Sequence, residues 1–203
     1  MLNEEDNEPL GGLFRNVQVD EMCIRRGELV SNPSQMVHGL NDNIDDDADH
    51  VWIVGGVEEA IEESNSLKPR FFIEIVPNRR AHTIKNLFYN KIKPDTTIIT
   101  DGLATYPAAI QQANDERGMN YIHLSVNHSE EFVTETGIHT NDIENMWSHV
   151  RSMWRERHGV SRENINSFLN DFRFIKRNIK IECRESVKNA WFVLIKKIFT
   201  IIN

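Results

Sequence analysis

The segment TTIITDGLATY, residues 96–106, reads as a strand, a turn and the start of a helix. Thr96 to Thr100 are β-branched without exception, which stiffens χ1 and suits a short buried strand better than a helix. Asp101-Gly102 is a turn signal that stops the strand, and residues 103–117 then read as a helix. Toward the N-terminus, Arg70 to Val76 (RFFIEIV) is a strand closed by Pro77-Asn78, and residues 81–91 follow with Ile84, Leu87 and Phe88 at helical spacing. Before these come Val51 to Val57 (VWIVGGV), whose Gly55 and Gly56 weaken its end, and the alternating Val17 to Ile24 (VQVDEMCI). Toward the C-terminus, Tyr121 to Val126 (YIHLSV) is a fifth strand, followed by a polar connection and a long helix from about Thr140.

The predicted order is therefore βββαβαβα. Three strands in a meander followed by alternating strands and helices describe an α/β protein with a mixed five-stranded sheet flanked by helices, the order of the RNase H-like fold. From Arg162 onward the chain is helical by composition, with Phe168, Phe172 and Ile175 on one face. The expected organisation is an acidic tail over 1–16, a sheet domain over 17–160 and a helical C-terminal extension over 161–203.

At 203 residues, with 39% apolar and 27% charged side chains, the chain has globular rather than disordered composition. It lacks an apolar run of the roughly 18–20 residues that spans a bilayer, and Met1 to Glu8 are acidic where a secretory signal is basic, so the expectation is an intracellular protein without a membrane partner. Cys23 and Cys183 are too few and too far apart for a disulfide framework or a cysteine zinc module. The formal net charge of −8 argues against a polyanionic partner until its distribution is read. Residues 1–65 carry sixteen acidic and three basic side chains, whereas residues 66–203 carry fifteen acidic and twenty basic. Between 151 and 180, Arg151, Arg155, Arg157, Arg162, Arg173, Lys176, Arg177 and Lys180 face only Glu156, Glu163 and Asp171. Such a run is a solvated helix face or a phosphate-facing surface.

The acidic excess concentrates in the loop 41–50. It fails as an EF-hand, because none of Asp42, Asp45 or Asp47 taken as position one supplies both the Gly at six and the Glu at twelve. His123, His128 and His139 are dispersed and read as polar-loop or strand histidines. The P-loop, dinucleotide, zinc-protease and nucleophile-elbow motifs are all missing.

Three acids stand out. Asp20 lies within the first strand, where an ionised group is costly to bury unless paired or metal-bound. Asp101 closes the fourth strand at its C-terminal end, the end at which open α/β sheets place ligands. Read alone it is equally an Asp-Gly turn or a helix cap. In the long helix Ile143, Trp147, Val150 and Trp154 form a core-facing stripe, and Asn141, Glu144, Ser148, Arg151 and Arg155 lie opposite. If that helix packs beside the first strand, Glu144 joins Asp20 and Asp101. Three hard-oxygen ligands of this kind suit a pair of Mg²⁺ or Mn²⁺ ions about 3.5–4 Å apart, the arrangement that cleaves phosphodiesters.

The succession VQVDE (17–21), IRRGE (24–28), WIVGGVEE (52–59), TTIITDGLATY (96–106), VNHSEEFV (126–133) and HTNDIENMW (139–147) resembles the transposase domain of the ISXO2-like insertion sequences and their eukaryotic Merlin relatives, from about Gly11 to Asn178. The resemblance implies an RNase H-like DDE transposase that uses Mg²⁺ or Mn²⁺ to cut transposon ends and join them to target DNA. It implies Asp20, Asp101 and Glu144 as catalytic and metal-holding residues, with Asn141 as the alternative at the third position. Asn127 and His128 match its NHS element, in a supporting role. Arg151, Arg155, Lys176 and Arg177 are the expected DNA contacts, and Trp191 to Ile202 is an expected surface for homo-oligomers. Location would be the nucleus in a eukaryote and the cytoplasm in a bacterium. The basic segment after the first strand is shorter than in the family, and the chain starts almost at the catalytic domain. A truncated or domesticated copy acting only as a DNA-binding or protein-interaction module is therefore the alternative expectation.

Overall fold

In the computed structural model, residues 8–25, 28–30, 50–60, 70–126 and 138–178 are described. The acidic loop 41–49, Asn127, His128 and the segment 179–203 lie outside them. Strands β1 (Asn16–Arg25), β2 (Glu28–Val30), β3 (His50–Glu58), β4 (Phe71–Val76), β5 (Thr97–Thr100) and β6 (Ile122–Ser125) alternate with helices α1 (Ala81–Lys91), α2 (Thr105–Arg117), α3 (Asn141–Glu156) and α4 (Ile165–Asn178). The five principal strands lie in the order β4-β3-β1-β5-β6, and the three-residue β2 pairs with β1. Pairing is antiparallel for β1 with β3 and β3 with β4, and parallel for β1 with β5 and β5 with β6. This is the mixed, RNase H-like α/β arrangement expected from the element order.

Period-two alternation assigns the faces. Val17, Val19 and Cys23 of β1, Trp52 and Val54 of β3, Phe72 and Val76 of β4 and Ile98 of β5 pack with Ile84 and Phe88 of α1 and with Tyr106, Ala109 and Ile110 of α2. On the other face Met22, Ile24, Ile53, Val57, Phe71 and Ile73 pack with Ile143, Met146, Trp147 and Val150 of α3 and with Ile165, Phe168, Leu169 and Phe172 of α4. Helix α4, expected in a C-terminal extension, thus contributes to one of the two apolar layers.

Gly55 and Gly56 do not weaken the end of their strand as expected, since β3 runs through both to Glu58. Their bare backbones make room for aromatic rings on opposite faces. A Cβ on Gly55 would lie 2.5 Å from Met146 and 2.9 Å from the Trp147 indole, and one on Gly56 would lie 2.3 Å from the Phe72 ring. Packing requires glycine here, not backbone freedom.

Helix α4 also covers an edge. Among the described residues β4 ends the sheet, so the carbonyls along its outer side have no strand partner there. Arg173 hydrogen-bonds the Ile73 carbonyl and Arg177 that of Phe71, at 3.1 Å in the latter case. Four residues of helix advance about 6 Å and two residues of strand about 6.6 Å, so an i, i+4 pair of arginines matches alternate strand carbonyls.

Candidate active site

Asp20 and Asp101 meet because β1 and β5 are parallel neighbours whose pairing ends at Val19 opposite Thr100. The next residue of each strand is an aspartate. Asp20, Glu21 and Asp101 each present a carboxylate oxygen within 4.8 Å of the others. Asp101 also makes the turn that its sequence suggested, its Oδ1 accepting the Leu103 N–H at 3.2 Å. The turn and the site therefore use the same side chain.

Two neutral donors hold Asp20: the backbone N–H of Glu21 gives to Oδ1 at 2.8 Å and the Trp147 indole N–H to Oδ2 at 2.9 Å. Gly55 lies opposite Asp20 in the β1/β3 register, and its missing side chain lets the indole come down onto the strand. Burial, then the charges of Glu21 and Asp101, push the Asp20 carboxyl well above the usual carboxylate range, against the pull of these two hydrogen bonds.

Glu21 points to the other face. Its Oε1 accepts from Arg79 at 3.2 Å and its Oε2 from the Tyr106 hydroxyl at 2.7 Å. Arg79 is itself buried, its guanidinium lying 3.8 Å from the centre of the Trp52 ring. Burial and the charge of Asp101 raise the Glu21 carboxyl, and its bonds to Tyr106 and Arg79 oppose the shift. The Tyr106 phenol is raised well above its ordinary value by burial and then by Glu21, so it keeps its proton and donates.

Helix α3 is oriented by Gln18, two residues before Asp20 and on the same face. Its side-chain oxygen accepts the backbone N–H groups of Asp142 and Ile143, at 2.9 and 3.1 Å, and so satisfies two of the unpaired donors at the helix start from across the interface. Its amide nitrogen lies 2.8 Å from Glu59, 3.1 Å from Asp142 and 3.2 Å from His139. Glu59, His139 and Asp142 form the second set of grouped ligand-type side chains among the described residues. Glu59 also accepts from Asn16 at 2.8 Å, so this group is an anchor for the start of α3.

Glu144 belongs to neither set. It is exposed in the first turn of α3, one turn before Trp147, and accepts a hydrogen bond from Thr140 at 2.9 Å. Asn141 is also exposed. The structure thus brings two of the three expected acids together and places the third on the helix whose Trp147 bonds Asp20.

The expected basic face divides. Arg155 is exposed and Arg151 half-buried on α3, whereas Lys176 and Arg177 are turned to protein partners. The Lys176 ammonium lies 2.6 Å from His149 Nδ1, and Arg177 stacks on the Phe71 ring at 5.0 Å besides bonding the Phe71 carbonyl. Burial, followed by the Lys176 charge, lowers His149 and keeps its ring an acceptor.

Glu21, Arg79, Tyr106, Gln18 and the Trp147 bond to Asp20 were not foreseen. The alternation in VQVDE does signal that Gln18 and Asp20 share a face and that Glu21, a second buried acid, must find its partners on the other.

No helix among the described residues is long and apolar enough to cross a membrane. The chain is similar to an uncharacterized transposase-like protein of Haemophilus influenzae, 24% identical over 121 residues, which covers 60% of this chain and 92% of that protein. The family model described as the ISXO2-like transposase domain matches residues 10–177, and it spans every element of the sheet and all four helices but the last residue of α4. With this match joined to the strand order and the paired aspartates, the chain belongs to the ISXO2-like transposase domain family.

Proposed function

We propose that this domain is a DDE-type catalyst that cleaves DNA at the ends of a mobile element and joins them to target DNA, with Asp20 and Asp101 holding Mg²⁺ or Mn²⁺ and Glu144 as the third acid. One observation carries the reading: the half-buried carboxylates of Asp20 and Asp101 converge at the open end of parallel strands beside Glu21, and the hydrogen bonds to Asp20 come from neutral groups. Oxygen donors of this kind suit a hard divalent cation. When bound, a pair of such ions activates the attacking oxygen and stabilises the leaving one. The protein's own part is to hold the carboxylates. The indole of Trp147 fixes the rotamer of Asp20, the Leu103 N–H fixes Asp101, and Gln18 fixes the start of the helix that bears Glu144. Glu144, which accepts from Thr140, would be the third residue to hold the ions. Arg151 and Arg155, further along the same helix, contact phosphate. Lys176 and Arg177 act instead by docking α4.

The test is cleavage and joining of cognate terminal repeats with Mn²⁺ by the wild-type chain, Asp101→Ala, Glu144→Ala and Asn141→Ala. Both acid variants fall to the metal-free background, and Asn141→Ala keeps activity. Equal activity in wild type and Asp101→Ala refutes the reading. Salt-dependent DNA binding without cleavage by the wild type would leave a binding module in its place.

A further inference from the structure

Glu21 is a buried acid beside the candidate metal pair, yet both of its oxygens are already engaged by protein donors. The donor of the shorter bond, Tyr106, sits in the first turn of α2, the helix into which Asp101 leads through the turn at Gly102. Its ring is fully buried and stacked beside Phe88 of α1. The acceptor is the residue that follows Asp20 in β1. The Tyr106–Glu21 bond therefore ties together two segments that each carry one of the paired aspartates. Arg79, from the connection between β4 and α1, closes the other oxygen.

We infer that Tyr106 and Glu21, locked by Arg79, form a strap that positions Asp101 against Asp20, so that they are positioning residues for cation binding and not ligands. Removing the hydroxyl frees the 101–106 turn, Asp101 included, to move away from β1 and costs cation affinity although neither aspartate is substituted. Partners that orient metal ligands in this way are typically worth about 10–100-fold in affinity.

The inference rests on the metal-holding reading of Asp20 and Asp101. Titration of the metal-free chain with Mn²⁺ by calorimetry, alongside thermal unfolding without metal, tests both. Asp101→Asn loses binding. Tyr106→Phe weakens the Kd about tenfold. Glu21→Gln keeps an amide oxygen for the hydroxyl but turns its N–H₂ toward Arg79 and loses the ion pair, so it loses no more than the roughly tenfold of Tyr106→Phe. Should Tyr106→Phe not fold, the double variant Glu21→Met with Arg79→Met deletes the same bond from the other side without stranding the arginine, and carries the same roughly tenfold expectation. A lowered thermal midpoint with unchanged Mn²⁺ affinity in the folded variant that lacks the bond makes the pair merely structural and overturns the strap. A larger loss for Glu21→Gln than for Tyr106→Phe makes Glu21 a ligand and overturns it too. Equal Mn²⁺ binding by wild type and Asp101→Asn, or none by wild type, removes the metal site itself and the strap with it.

Discussion

Asp20 and Glu21 are consecutive residues of β1, and the two faces of the sheet treat their carboxylates differently. On the face covered by α1 and α2, Glu21 meets a buried arginine and a buried phenol. On the face covered by α3, Asp20 meets a backbone N–H and an indole N–H, both neutral, and faces Asp101 as a second acid. The apolar layers around them are built alike, from alternating strand residues and one side of each helix. Burial alone therefore does not mark a functional acid. Asp101 lies near both carboxylates, so the donors separate them: Glu21 has its own cation and is a structural part, whereas the half-buried Asp20, held by neutral donors, has been left short of positive charge.

The largest expected break in this comparison comes from removing the structural cation. Arg79→Ala leaves Glu21 buried without its ion pair and should cost about 3–5 kcal/mol in urea unfolding, the usual penalty for halving a buried pair. A loss below about 1 kcal/mol would mean that Glu21 does not depend on Arg79.

A sharper comparison uses adjacent glycines on opposite faces. Gly55→Ala and Gly56→Ala each force a methyl into an aromatic ring and should each cost about 1–3 kcal/mol. Only Gly55→Ala lifts Trp147 from Asp20, so only it should also weaken Mn²⁺ binding. Equal Mn²⁺ affinity in both variants would detach the indole from the site.

The smallest effect is in pH dependence. Since the Asp20 carboxyl is raised in the folded chain, the folded state holds more protons than the unfolded one above about pH 4, the ordinary aspartate value. The stability of the metal-free protein should therefore fall as pH rises from there until Asp20 ionises in the folded state. Asp20→Asn should flatten that slope and stabilise the metal-free protein at pH 7 by about 1 kcal/mol, or about 2–4 °C in thermal midpoint. Metal-free stability that rises with pH through this window, with Asp20→Asn destabilising, would show Asp20 to be held as an ion.

Local pattern carried much of the fold. The helix expected over 81–91 is α1, the stripe Ile143, Trp147, Val150, Trp154 is the buried side of α3, and the run from Thr96 ends in the aspartate that faces Asp20. Patterning failed where a residue answers to a distant neighbour. Gly55 and Gly56 read as a weak strand end because glycine has poor strand propensity, but the rings of Trp147 and Phe72 need that space. The run that holds Arg173, Lys176 and Arg177 read as a solvated helix face or a phosphate-facing surface because charge is usually solvated, but the open edge of β4 and the ring of His149 lie beside them.

Local pattern alone sufficed for the order of the five principal strands and their helices, though not for the short β2, and for the face of each strand residue and the position of Asp101 at a strand's C-terminal end. These follow from side-chain periodicity and turn chemistry within a few residues. Only the tertiary structure decided which acid received a cation, which arginines stayed open to solvent and where Glu144 stands relative to the pair. Those outcomes depend on contacts between positions as far apart as Gln18 and Asp142 or Glu21 and Tyr106, and the energy of a buried charge is set by whichever group the fold brings within hydrogen-bond reach.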